Sequence, residues 1–249
     1  MLEEDKGNKL NFSSDLFFNG KLKIFQSKDF FKSGSDAVFL SAFVDLKKGT
    51  ILDVGCGTGV VSLSLAYRNP QLKVYGLDIQ EKLIELCILS AQENGLSKKC
   101  TFLNGNILKT EFPPQSLDAV VTNPPYFEGS SPSPKAAVSL AKTETVPIDN
   151  WIHACTQLIK PGGIFYCIYP AAHIEKILKN LDRFGDITIF PLWPRKGQNA
   201  KRVLIKAKKL AKGSTVFSKG LVLHKDSQNT YTQEAERLLK DGLPLITDA

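Results

Sequence analysis

The sequence predicts an open α/β sheet, mostly parallel, with helices on both faces. Three observations carry this expectation. From residue 50 onward, short apolar runs alternate with helix-length amphipathic segments. The first of these runs ends in a glycine-rich turn that opens a helix. A late run alternates between apolar and basic residues and changes the rhythm.

Taken in order, residues 20–31 read as a hairpin, and residues 35–44 as a short helix capped by Ser35 or Asp36. Residues 50–54 form the first strand of the main sheet, with a helix running on to about Arg68. Residues 72–77 are a second strand, ended by Asp78 and followed by a helix over 81–93. Strands are expected at 100–103 and 117–122, then a helix at 149–158. The Pro161-Gly162-Gly163 turn precedes a strand at 164–169, a helix at 172–184 and a strand at 186–190. In residues 202–208, Val203, Ile205 and Ala207 share one face while Arg202, Lys206 and Lys208 share the other. Residues 129–135, rich in Ser and Pro, read as a loop beside the site and a candidate lid. The expected organisation is an N-terminal extension, residues 1–45, packed on one domain over residues 46–249.

Composition narrows the class. The 43% hydrophobic and 23% charged fractions are those of a soluble globular protein, with no run near the 20 or so apolar residues of a membrane helix. The first ten residues are polar and are not read as a signal peptide. Five scattered cysteines, never spaced as CxxC, suit a reducing cytoplasm and argue against a disulfide framework or a zinc site. The three histidines have no metal-ligand spacing, so no metal is expected.

The net charge of +7 is concentrated in one place. Residues 195–225 hold ten basic and no acidic residues; removing those ten from the 32 basic residues leaves 22 against 25 acidic ones. A segment of that kind points to a polyanion, and Arg195, Lys196, Lys201, Arg202, Lys206 and Lys208 are the candidate RNA contacts.

The glycine-rich turn reads Asp53-Val54-Gly55-Cys56-Gly57-Thr58-Gly59. Ligands of open α/β sheets collect at the carboxyl ends of the strands, and glycines let the backbone approach them. A dinucleotide fingerprint would place glycine at position 60, where Val60 stands, which counts against a dehydrogenase. Asp78, at the end of the second strand, can accept from both hydroxyls of a ribose, so the ligand is a nucleoside derivative. Ile79 follows it, and Asn106 and Ile107 stand beyond the next strand, where Asn106 can meet an adenine edge.

The chemistry is carried by Asn123-Pro124-Pro125-Tyr126 at the end of the fourth strand. An exocyclic amine conjugated to a ring is a poor nucleophile because its lone pair is delocalised. The Asn123 side-chain oxygen and the Pro124 carbonyl can each accept one N–H, aligning the nitrogen and favouring the positive charge that develops on it. Tyr126 offers a face on which a splayed-out base can stack. A side-chain amide presents the same two hydrogens, so the motif alone admits a base amine or a protein glutamine. The basic segment favours RNA, and a non-catalytic RNA-binding protein would need a degraded ligand turn that is not seen here.

These residues resemble the Rossmann-like methyltransferases with an Asn-Pro-Pro-Tyr motif. The resemblance is strongest to the family of tRNA adenine-N6 methyltransferases acting on adenine 37 of valine tRNA. It runs from about Asp15 to about Leu239 and takes in Trp151-Ile152, residues 191–195 and residues 231–234. The chain departs from the family in lacking an arginine before Asp36 and in having Asn106 where an aspartate is common. The resemblance implies a seven-stranded sheet with an antiparallel last strand, S-adenosylmethionine as methyl donor and tRNA as acceptor. It also implies that Asp53, Gly55, Asp78 and Asn123 are cofactor and acceptor contacts; the reading of the residues adds Gly57, Gly59, Ile79, Asn106 and Ile107 at the cofactor and Pro124 and Tyr126, with Asn123, at the acceptor.

Overall fold

The structure, a computed structural model, describes residues 11–28, 30, 34–125, 146–225 and 230–246. Tyr126 and residues 129–135 lie outside the described residues.

The chain begins with an antiparallel hairpin, β1 (Phe12–Phe17) and β2 (Leu22–Ser27). The turn is centred on Phe18-Asn19-Gly20, all with positive φ, so the hairpin starts eight residues before the expected one. Asn-Gly is the turn itself and not the beginning of a strand. Helix α1 (Ser35–Phe43) follows, with Gly34 at its N-cap and no side-chain cap. Asp36, one of the two expected caps, instead pairs with Arg202.

Next come β3 (Lys48–Val54), α2 (Val60–Arg68), β4 (Gln71–Asp78), α3 (Glu81–Glu93), β5 (Cys100–Asn104) and β6 (Leu117–Thr122). After them stand α4 (Ile148–Leu158) and β7 (Ile159–Pro170), a strand that takes in Pro161-Gly162-Gly163 and shifts register opposite residues 117–119. The helix expected over 172–184 is only a short 3-10 turn and one turn of α-helix, α5 (Glu175–Leu178). Asn180 closes it by donating to the Lys176 carbonyl and to Asp149. Then follow β8 (Phe184–Trp193), β9 (Arg202–Lys209), the short β10 (Val216–Phe217) and β11 (Leu221–Val222), and α6 (Gln233–Asp241).

Seven long strands lie in the order β8-β9-β7-β6-β3-β4-β5, and β10 and β11 pair in parallel with the outer side of β8. Only β9, the last of the seven in the chain, is antiparallel to its neighbours, as the resemblance implied. It lies between β7 and β8. Period-two alternation sends side chains to two buried cores. Ile51, Val121, Tyr166, Ile168 and Leu204 face α1, α2 and α3, together with Leu22 and Ile24 of the hairpin. Leu52, Val120, Phe165, Cys167 and Ile205 face α4 and α5. The same alternation turns Arg202 and Lys206 under α1, where Arg202 meets Asp36 and Lys206 meets Asp45. Lys209 is buried and donates to the carbonyls of Thr156 and Ile159, closing the C-terminal end of α4.

Candidate active site

Because β3 to β7 run the same way, Gly55, Ile79, Gly105 and Asn123 all emerge at one carboxyl edge. Val54 and Thr122 are register partners on adjacent strands. The glycine-rich turn and the Asn-Pro-Pro segment therefore begin side by side, about 5 Å apart at strand spacing. Asn123 is half-buried and Pro124 buried.

In the turn, Gly55, Gly57 and Gly59 have φ of 71°, 56° and 79°, the left-handed region that only glycine adopts without strain. Four of its amides are bound within the protein. Gly55 and Cys56 donate to the Leu77 carbonyl, Gly57 to Asp78 Oδ2 at 2.9 Å, and Gly59 to the Cys56 carbonyl. With the Gly55, Cys56, Gly57 and Gly59 amides so engaged, the turn has fewer N–H groups to offer a pyrophosphate, and it suits a nucleoside ligand without phosphates.

Asp53 and Asp78 do different work. Asp53 is 2% exposed, beneath the turn, and its Oδ2 accepts from both the amide and the hydroxyl of Ser62, at 3.1 and 2.6 Å. Burial drives its carboxyl up to about 7, against the Ser62 donors and helped by the charge of Asp78. It braces the start of α2 from below. Asp78 stands at the end of β4, with Oδ1 on the Gln80 amide and Oδ2 on Gly57. Burial raises its carboxyl too, opposed by these backbone donors. A carboxylate has about four lone-pair positions, so two bonds leave it able to accept from a ribose diol.

Beside it, Ile79 and Leu108 are each 45% exposed, apolar flanks of the kind that sandwich a base. Ile107 is buried. Asn106 caps the 3-10 turn over Ile107–Lys109 by accepting from the Leu108 amide through Oδ1 at 2.9 Å, which leaves its NH₂ as the group for an adenine ring nitrogen. A cavity of about 400 Å³ lies on the Asn106 side of this edge, lined by Tyr75, Leu77, Leu103, Gly105, Asn106 and Phe112 among others; Asp78, Ile79 and the turn glycines do not line it. The Asp78 carboxylate, the Asn106 amide and the glycine-rich turn thus suit an adenosyl group.

The basic candidates divide. Arg202 pairs across from Pro170 and Lys208 from Ile164, six residues down the strand. At about 3.4 Å per residue, Lys208 is roughly 20 Å from the carboxyl edge. Lys206 lies between them, tied to Asp45. Arg195, Lys196, Lys201 and Arg202 share the edge with Asn123, and Lys196 and Lys201 are exposed.

Two residues that the sequence reading did not assign also belong here. Gln26 is buried with Thr58 of the turn. Its signal was a polar residue in the apolar phase of Leu22-x-Ile24-x-Gln26. Trp151 reaches from α4 to Thr122 and Gly55. Among the described residues no group of three or more metal-ligating side chains occurs, the five cysteines are free, and no helix is long and apolar enough to cross a membrane.

The chain is similar to known methyltransferases over most of its length. A family described as "Methyltransferase domain" matches residues 45–208. A tRNA1(Val) (adenine(37)-N6)-methyltransferase of Trichodesmium erythraeum is 30% identical over 84% of this chain and 90% of its own length. The protein of that name from Actinobacillus pleuropneumoniae serotype 7 is 27% identical over 87% of this chain and 95% of its own. In fold, the chain is similar to a predicted O-methyltransferase from Agrobacterium tumefaciens, with a TM-score of 0.71, 21% identity, and coverage of 86% of this chain and 100% of that one. These similarities show the family: the chain belongs to the methyltransferase-domain family, within the group of the tRNA1(Val) (adenine(37)-N6)-methyltransferases, and is an S-adenosylmethionine-dependent methyltransferase.

Proposed function

We propose that the enzyme methylates the exocyclic N6 amine of adenine 37 in a valine tRNA, in the cytoplasm. The observation that carries this is the side-by-side start of the Gly55 turn and the Asn123-Pro124 segment from register partners Val54 and Thr122. The curated relatives share the reading in name over most of the chain. When bound, S-adenosylmethionine supplies an electrophilic methyl group on a positively charged sulfur.

The protein's own groups do the rest. Asp78 takes the ribose hydroxyls, Ile79 flanks the adenine and the Asn106 NH₂ donates to it. Asp53 and Gln26 hold the turn from beneath. Asn123 Oδ1 and the Pro124 carbonyl each accept an N–H of the target amine, directing its lone pair along the transfer axis and stabilising the charge that grows on nitrogen. The resulting ammonium is acidic and loses its proton to water, so no basic side chain is required. The φ of each proline is fixed, which keeps the Pro124 carbonyl aimed. Tyr126 is assigned the stacking of the target base. Phosphates of the loop lie along Arg195, Lys196, Lys201 and Arg202, since these share the acceptor edge and Lys206 and Lys208 do not.

The deciding experiment is transfer of radiolabelled methyl from S-adenosylmethionine to bulk tRNA, followed by nucleoside analysis. Label in N6-methyladenosine is expected. Label in protein glutamine, with none in tRNA, would replace the acceptor.

A further inference from the structure

Trp151 touches both halves of the reaction centre from behind. Its helix α4 starts after Pro147, whose carbonyl accepts the Trp151 amide at 3.0 Å, so the side chain leaves from the first turn. The indole Nε1 donates to Thr122 Oγ1 at 3.0 Å. The Thr122 hydroxyl in turn donates to the Val54 carbonyl at 2.9 Å, so its one proton and the incoming N–H point in fixed directions. Thr122 is fully buried. On the six-membered ring, Cζ2 and Cη2 lie 3.1 Å from where a Cβ on Gly55 would stand. Val54 precedes Gly55, and Thr122 precedes Asn123. One side chain therefore packs on the donor turn and is hydrogen-bonded to the strand that delivers the acceptor motif.

We infer that Trp151 is a positioning residue that sets the separation of the methyl donor turn from Asn123 through the Trp151–Thr122–Val54 hydrogen-bond chain. The inference rests on reading Asn123 as the acceptor residue. In-line transfer needs the reacting atoms about 3–3.5 Å apart and aligned, and a misplacement near 1 Å costs on the order of a hundredfold in rate. The ladder between β3 and β6 ends at Val54 and Thr122, where the two turns leave the sheet. The indole supplies a tie at that point. Neither partner needs to touch the ligands for the spacing to depend on it.

The test compares Trp151→Phe, which keeps most of the ring and loses the N–H, with Thr122→Val and with the double variant. Expected is a fall in kcat of roughly tenfold in each single variant, with KM for tRNA within about twofold. The double variant should fall no further, because both changes break one chain. A purely structural Trp151 would lower the melting temperature and leave kcat of the folded enzyme unchanged; that result, or additive losses, overturns the inference.

A second measurement is independent of turnover. The chain has two tryptophans, so Trp193→Phe leaves Trp151 as the reporter. Its emission should shift on titration with S-adenosylhomocysteine, and flat emission through a saturation seen by calorimetry overturns the contact with the donor turn. If the unmodified enzyme labels no tRNA, the proposed function fails, while this titration still decides the role of Trp151.

Discussion

Beneath the glycine-rich turn the side chains of Gln26 and Thr58 meet, the Thr58 hydroxyl donating to Gln26 Oε1 at 3.1 Å with each residue 1% exposed. Gln26 Nε2 donates onward to Asp15 Oδ2 at 2.8 Å. A hairpin outside the main sheet is thus wired to the glycine-rich turn.

Gln26→Leu removes one buried acceptor and should cost on the order of 1 kcal/mol of stability. Because the loss falls on the turn, the dissociation constant for S-adenosylmethionine should rise several-fold. Calorimetry and thermal melts check both; unchanged affinity with a lowered melting temperature would confine Gln26 to the hairpin.

Asp53 makes stability depend on pH. Its carboxyl is held up to about 7 by burial, so the folded state keeps a proton that the unfolded chain releases near 3.8. The stabilisation is therefore full below about pH 4 and is lost as pH rises through about 7, a swing of a few kcal/mol at most. Asp53→Asn keeps an oxygen for Ser62 and removes the titration. Melting temperatures of the ligand-free proteins, followed from pH 5 to 8, should show the unmodified enzyme losing ground to the variant. Parallel curves would show that Asp53 is not titrating there.

Asn123→Ala deletes one of the two acceptors for the target amine. Methyl transfer should drop by about a hundredfold or more, as for loss of one preorganised polar group at a developing charge. Binding of S-adenosylhomocysteine should stay within a few-fold. Near-normal turnover would remove Asn123 from the mechanism.

Charge reversal separates the two ends of the basic segment. Lys196→Glu with Lys201→Glu should weaken tRNA binding and reduce the slope of log K against log salt by about 0.7 for each phosphate no longer neutralised. Lys208→Glu, roughly 20 Å down β9, should leave both quantities near their starting values. The reverse pattern would move the RNA to the opposite end of the sheet.

Much of this was legible in the chain. The strands at 117–122 and from 202 onward and the helix Glu81–Glu93 announce themselves by period and length, and the two turns that leave β3 and β6 side by side by their motifs. Even the division of faces on β9 was readable. What the alternation could not reveal was the cover over the basic face. Arg202 and Lys206 looked solvent-facing because Asp36 and Asp45, more than 150 residues earlier, are not in the local pattern. The helix expected over 172–184 shortened for a similar reason, since Asn180 binds Asp149 of a different helix. Local periodicity reports which way a side chain faces; partners distant in sequence decide what it meets.

The placement of β9 has a consequence for synthesis. Strand β8 pairs with β9 and with the later β10 and β11, never with β7. A nascent chain that has reached Trp193 therefore leaves one edge of β7 bare and β8 without a partner strand. Only when Lys209 has cleared the ribosome can β9 pair with both, and with it arrive the cations that clamp α1. Until then the exposed edges are open to pairing with other chains. A stalled product ending between residues 193 and 201 should thus be prone to aggregate, although it already contains both the glycine-rich turn and the Asn-Pro-Pro-Tyr motif.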